Sequence, residues 1–410
     1  MAVNKERIYR RLEELGKIGQ KEDGIYCMAL SEEDNQACKL VRKYMEEAGM
    51  KVYVDAAGNL IGRKEGKNPD APVVMTGSHI DTVYGGGIFD GRLGVIGGIE
   101  AVQVMNEQGI ETEHPIEVAV YRDEEGTRFV GSYSGARFRT GRPLKGILEH
   151  VDRDGISVRA ALEQSGIDPE HVQDAALPEG YGKAHLELHI EQGAVLESKD
   201  LAVGIVTGIC TQIRGEYTIT GQASHAGTTP IPLRKDALCA AAEAVLAIEE
   251  ETAKNGECVA TVGRIQAEPG GVNIVPGRVK FSLDIRHQDP AVRDRLLEQI
   301  NKRIDEICSR RKQEWNFQIL STEGTPKPCS PEVQEIIREA CEEAGYPVYY
   351  MPSGAGHDSG AFVNFCPMGM IFIRSKDGLS HNGEEYSSPE DCEAGVEILY
   401  RSMLKLGKRV

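Results

Sequence analysis

No Cys-x-x-Cys pair occurs among the 410 residues, although ten cysteines do. Their scattered spacing reads as reduced thiols, several of them small buried hydrophobes, rather than a disulfide framework. No run of about 18 apolar residues exists, so no transmembrane helix is expected. The opening stretch, MAVNKERIYRRLEELGKIG, carries charge throughout and lacks the apolar core of a secretory signal. These absences predict a cytoplasmic protein. Basic charge is also short: 47 Lys and Arg stand against 64 Asp and Glu, a formal net charge of −17. That balance disfavours nucleic acid and anionic membrane as partners. No internal repeat or low-complexity tract interrupts the chain. What remains, 40% hydrophobic and 27% charged residues, is ordinary for a globular protein. The length favours two domains over one core.

Helical periodicity predicts helices over residues 4–18 and 34–48. KVYVDAAGNLIGRK reads as a hairpin turning at Gly58-Asn59. PVVMTGSHID, PIEVAVY and MGMIFIRS read as buried strands, and GRLGVIGGIEAVQVMNEQG as a helix between the first two. Strands alternating with helices predict an α/β layer around a mixed, partly parallel sheet flanked by helices. Residues 213–328 differ. Their order of strand, helix, two strands, helix, strand predicts an inserted α+β unit of ferredoxin-like kind. The catalytic domain would then be built from residues 1–212 and 329–410.

Four polar clusters fall just beyond apolar strands, where functional groups gather in open α/β sheets. GSHIDTVYGGGIFDG places His79 and Asp81 at a strand end and Asp90 before the next helix. Its glycines let the backbone bring Asp90 back towards His79. An ordinary glycine loop with Asp90 as a helix cap fits this segment equally well. Arg122-Asp123-Glu124-Glu125-Gly126 sets three acids in a row, which repel unless solvated or neutralised by a cation. AHLELHIEQG alternates an apolar face with His185, Glu187, His189 and Glu191, so a solvent-facing strand is the plainer alternative. SHNGEEY carries His381. Together His79, Asp90, Glu125, His189 and His381 form a nitrogen and oxygen donor set without cysteine. It suits zinc, or manganese, cobalt or nickel. Five donors exceed one tetrahedral ion and suit two ions sharing a carboxylate.

The motifs GSHIDTV, GGIFDG, DEEGTRF, HIEQGAVLE, SHAGTTP, GHDSGAF and LSHN resemble those of the hydantoinase/carbamoylase family of two-zinc amidohydrolases. That family lies within the aminoacylase- and carboxypeptidase-like metallohydrolases. The resemblance spans nearly the whole chain. It implies that His79, Asp90 and His189 hold one metal, and Asp90, Glu125 and His381 the other. It implies Glu124 as general base, with Asp81 orienting His79. It assigns His225 to the substrate carbonyl and Asn273, Arg286 and Gly356 to substrate contacts. Arg286 lies on the polar face of RVKFSLDIRH, and a planar guanidinium suits a carboxylate; a surface ion pair is the alternative. Gln192 and Gln212 are amides suited to a ureido group. The inserted unit would act as lid and dimerisation domain, giving a homodimer.

The expected reaction is hydrolysis of an N-carbamoyl or ureido group on a small carboxylic acid, with N-carbamoyl-L-amino acids ahead of allantoate. A dipeptidase or aminoacylase, and a non-catalytic binding protein, are the competing readings. Two residues depart from the family pattern: Ser359 stands where Ala is usual, and Gly383 where many members carry Pro.

Overall fold

The computed structural model describes residues 2–129, 132, 134–256 and 258–408. The chain falls into two compact units, Met1–Gly208 with Pro328–Val410, and Ile209–Lys327.

The larger unit is built on a nine-stranded mixed sheet. Its centre is four parallel strands in the order Met368–Ile373, Gly182–Ile190, Val73–His79 and Ile116–Tyr121. Antiparallel strands extend both sides: Val203–Ile209 beyond the first, Leu60–Lys64 and Lys51–Val54 beyond the last. Every residue of Val73–His79 and Ile116–Tyr121 is buried, as expected for parallel strands covered on both faces. Helices Arg92–Glu107 and Pro389–Lys408 pack on this sheet, and Lys5–Gly16 packs on both. Asn4 and Ser31 cap the first two long helices by accepting N–H groups from Arg7 and Asp34. The polar face of Gly182–Ile190 is not solvated: His185, Glu187 and His189 are all buried. Period-2 alternation therefore marks a second, polar interior here rather than a wet surface.

The second unit carries a five-stranded antiparallel sheet under two helices, Ala237–Lys254 and Pro290–Arg310. Strand Arg278–His287 lies beside Thr211–Thr220, which pairs in turn with Glu314–Glu323. Val279, Phe281, Leu283 and Ile285 enter the core with Tyr217, Ile219 and the helical Ala240, Ala244, Ile300 and Ile304. Arg278, Lys280, Ser282, Asp284 and Arg286 take the other face. None of the ten cysteines is joined in a disulfide. Among the described residues no helix is long and apolar enough to cross a membrane.

Candidate metal centre

The four parallel strands deliver the expected donors at their carboxyl ends. His79 closes Val73–His79, and His189 is next to last in Gly182–Ile190. Glu124 and Glu125 follow Ile116–Tyr121 on a turn with left-handed Asp123 and Gly126, both at φ 59°. His381 lies beyond Met368–Ile373, itself left-handed at φ 55°. Strained backbone of this kind collects at functional sites. Asp90 arrives on the glycine loop before helix Arg92–Glu107. There Gly91 has φ 66°, and a Cβ on it would lie 2.4 Å from His79 Nε2, so only glycine fits between the two.

Asp90 divides its oxygens between two donor groups. Oδ1 lies 3.1 Å from His189 Nε2 and 3.6 Å from His79 Nε2. Oδ2 lies 3.3 Å from His381 Nε2, which is itself 3.5 Å from Glu125 Oε2. His79, Asp90 and His189 form one candidate metal group, and Asp90, Glu125 and His381 another. The donor chemistry fits cations. His79 Nδ1 faces the Asp81 carbonyl at 3.0 Å and His189 Nδ1 the Ile190 carbonyl at 2.9 Å. Each Nδ1 must therefore carry the proton, which leaves the Nε2 lone pair pointing at Asp90. Gly91 N–H also donates to His189 Nε2. Lone pairs of nitrogen and carboxylate repel unless positive charge lies between them. Glu125 Oε1 is buried with no hydrogen-bond partner among the described residues, a further acceptor awaiting a cation.

The same demand for positive charge shows in the titrating groups. Burial works against a charged His79, yet the Asp90 contact and nearby carboxylates lift its pKa well above the ordinary value. The Asp90 contact pushes His381 up to about 9. Burial raises Glu125 well above the usual carboxylate range. Glu124 is pushed up to about 7, first by burial, with Asp81 and Asp90 adding to the rise and His79 opposing it.

Asp81 meets both His79 and the acid turn. Its backbone carbonyl meets the ring, while its carboxylate stays 3.8 Å away. That carboxylate accepts the backbone N–H groups of Glu124 and Glu125 at 3.4 and 3.3 Å. It pins the turn that presents both acids. Gln192 also differs from a plain substrate amide. Its Nε2 donates to Asp90 Oδ2 at 2.8 Å and lies 3.4 Å from His381 Nε2. Gly356 brings its backbone close to Glu124; a Cβ there would sit 3.8 Å from Glu124 Oε1.

A third group, Glu187, His189 and His357, also has ligand spacing. It is closed by its neighbours: Glu187 accepts from Ser78 Oγ and Ser359 N, and His357 Nε2 meets Ser353 Oγ. Ser359 Oγ reaches His185 Nδ1 at 3.0 Å, which gives the Ala-to-Ser departure a partner. Gly383 packs against Asp23, where a Cβ would lie 2.4 Å from the carbonyl oxygen.

The other expected contacts lie in the second unit. His225 and Asn273 are exposed neighbours on a small ribbon, where Ala226 N–H donates to the Asn273 carbonyl. Arg286 and Gln212 face each other across paired strands. Both are engaged by Asp284, Gln212 at 2.8 Å and Arg286 at 2.9 and 3.0 Å. Arg286 thus pairs with Asp284.

Sequence reasoning missed Glu385 and Ser380, which hold the Asp90 backbone and side chain. It also missed Asp34, which pairs with Arg122 beside the acid turn. Glu385 stood inside a motif already singled out, but nothing local marked it.

With this geometry in hand, the sequence profile of peptidase family M20/M25/M40 matches residues 72–405. The chain belongs to that family. Within it, the chain is 47% identical over 407 residues to the N-carbamoyl-L-amino acid amidohydrolase of Geobacillus stearothermophilus, covering 99% of each. It is 39% identical to that of Pseudomonas sp. (strain NS671), again over 99% of each. An allantoate deiminase from Arabidopsis thaliana is 32% identical, over 97% of this chain and 82% of that one. A hydantoinase/carbamoylase family amidase from Burkholderia multivorans superposes with a TM-score of 0.93 at 36% identity, covering 99% and 98% of the two chains.

Proposed function

We propose that this protein is a metal-dependent amidohydrolase that removes the carbamoyl group from N-carbamoyl-L-amino acids. The observation that carries the reading is Asp90, one carboxylate serving two nitrogen and oxygen donor groups. The substrate class is favoured because the carbamoyl-amino-acid hydrolases are more similar to the chain than the allantoate deiminase is. Two divalent cations, zinc or else manganese, cobalt or nickel, held by His79, Asp90 and His189 and by Asp90, Glu125 and His381, would supply Lewis acidity towards the carbamoyl oxygen and acidify a water.

The remaining chemistry belongs to side chains. Glu124, on the turn beside Glu125, takes a proton from the attacking water and returns it to the leaving amine nitrogen. The products are the amino acid and carbamic acid, which breaks down to carbon dioxide and ammonia. Asp81 holds the Glu124 backbone in place. His225 donates to the developing oxyanion. Arg286, aligned by Asp284, takes the substrate carboxylate with Asn273, while Gln192, Gln212 and Gly356 shape the ureido end. The second unit serves as lid and as homodimer contact, and the reaction takes place in the cytoplasm.

The test is hydrolysis by metal-loaded protein of N-carbamoyl-L-amino acids, allantoate, N-acetyl amino acids and dipeptides at equal concentration, read as release of ammonia from the first two and of free amino acid from the last two. Release chiefly from the first is expected. Faster turnover of allantoate would move the assignment to that ureide, and activity confined to the last two would make the protein an aminoacylase or dipeptidase.

A further inference from the structure

We infer that Glu385 is a positioning residue of the metal centre, locking the Asp90 loop to the His381 loop. The inference rests on the metal-centre reading above. Glu385 is 5% exposed and lies on the segment between His381 and helix Pro389–Lys408. Its Oε1 accepts the N–H groups of Phe89 and Asp90, each at 3.0 Å. Its Oε2 accepts Ser380 Oγ at 3.1 Å, and that hydroxyl also meets Asp90 Oδ2 at 3.0 Å. Glu385 therefore grips the Asp90 backbone directly, and the Ser380 hydroxyl, with one proton to give, lies between the two carboxylates. Gly87 closes the site from the far side: a Cβ there would fall 2.3 Å from Glu385 Oε1.

The physical need is specific. Asp90 must hold its carboxylate so that one oxygen meets each donor group. It rides on a loop with glycines at 85, 86, 87 and 91, the backbone least able to fix an orientation by itself. Two adjacent N–H groups bound to one buried oxygen fix the peptide planes on either side of Phe89. The loop's freedom is then removed on folding rather than on metal binding, which raises affinity. Glu385 is not itself a donor in either metal group. Its oxygens are already occupied.

The experiment measures affinity for zinc ion alone by calorimetry on the full-length, chelator-stripped protein, with the cobalt absorption spectrum as a geometric readout. Glu385→Ala should weaken binding by about 10- to 100-fold and alter the cobalt spectrum, the usual scale for residues behind a ligand. Glu385→Gln keeps a carbonyl acceptor for the two N–H groups and should fall between. Gly87→Ala displaces the same carboxylate without changing Glu385 and should shift affinity in the same direction; it decides the matter if Glu385→Ala does not fold. Asp90→Asn is the reference for a lost ligand. Binding by Glu385→Ala and Gly87→Ala within about threefold of the unmodified protein, while Asp90→Asn loses it, overturns the inference alone. Absence of zinc binding in the unmodified protein overturns the metal-centre reading instead.

Discussion

Asp284 in the second unit and Asp90 in the larger one are both carboxylates ringed by nitrogen. Around Asp284 the nitrogens belong to Gln212, Arg214 and Arg286, which are permanent N–H donors, two of them permanently charged. Around Asp90 they belong to His79, His189 and His381, whose facing atoms are lone pairs unless protonated. The first group is complete as folded. The second is complete only with added positive charge, and among the described residues Glu125 Oε1 has no partner either. A cluster that folding leaves short of charge is where an inorganic cofactor belongs; one that folding has balanced is suited to holding a side chain in a fixed pose.

The largest effect should come from the unbalanced cluster. Glu124→Gln removes the proposed base without touching a proposed ligand. It is expected to lower kcat by roughly 100- to 10,000-fold. Metal content, read by elemental analysis, should stay at the level of the unmodified protein. Full turnover in this variant would remove Glu124 from the proton transfer.

The balanced cluster should respond differently. Arg286→Ala removes a charge-assisted contact worth about 1.5–3 kcal/mol, roughly 10- to 100-fold. That loss should fall mainly on KM for substrates bearing a carboxylate. An alkylurea without the carboxylate, compared by kcat/KM, should be affected far less. Equal losses for both would mean that Arg286 does not read the carboxylate.

How far these clusters were legible in the sequence follows from the range of their contacts. His79, Glu124, Glu125 and His189 could be read because strand ends and alternation are local properties, and the parallel sheet then places those ends together. The Asp284 pair could be placed on one face by counting residues along a strand, but its closure needs the register with Gln212 and Arg214. Glu385 was out of reach. It meets Phe89 and Asp90 across nearly 300 residues of chain, and a second Glu in SHNGEEY carries no local mark of that approach. Asp81 shows the same limit: its two-residue distance from His79 is local, but the two N–H groups of the turn after Tyr121 that its carboxylate accepts are not.

His185 and His189, four residues apart on one strand, repeat the comparison within the larger unit. His189 faces the unbalanced cluster, and contact with Asp90 raises its pKa against the pull of burial. His185 is balanced: Tyr121 Oη meets Nε2 at 3.1 Å, Ser359 Oγ meets Nδ1, and Phe362 stacks on the ring at 4.0 Å. Burial lowers its pKa to about 3. An unfolded histidine titrates near 6.5, so below that pH the unfolded chain takes up a proton that the folded one refuses. The stability contributed by neutral His185 is therefore full above about 6.5 and is lost as pH falls towards about 3. Ser359→Ala should cost about 1 kcal/mol near pH 7.5, seen as a small drop in melting temperature. His185→Gln should cost more there. Its deficit against the unmodified protein should shrink as pH falls from about 6.5, because only the unmodified protein loses the histidine's contribution. A deficit that stays constant between pH 7.5 and 5 would mean that His185 is not held neutral by its surroundings.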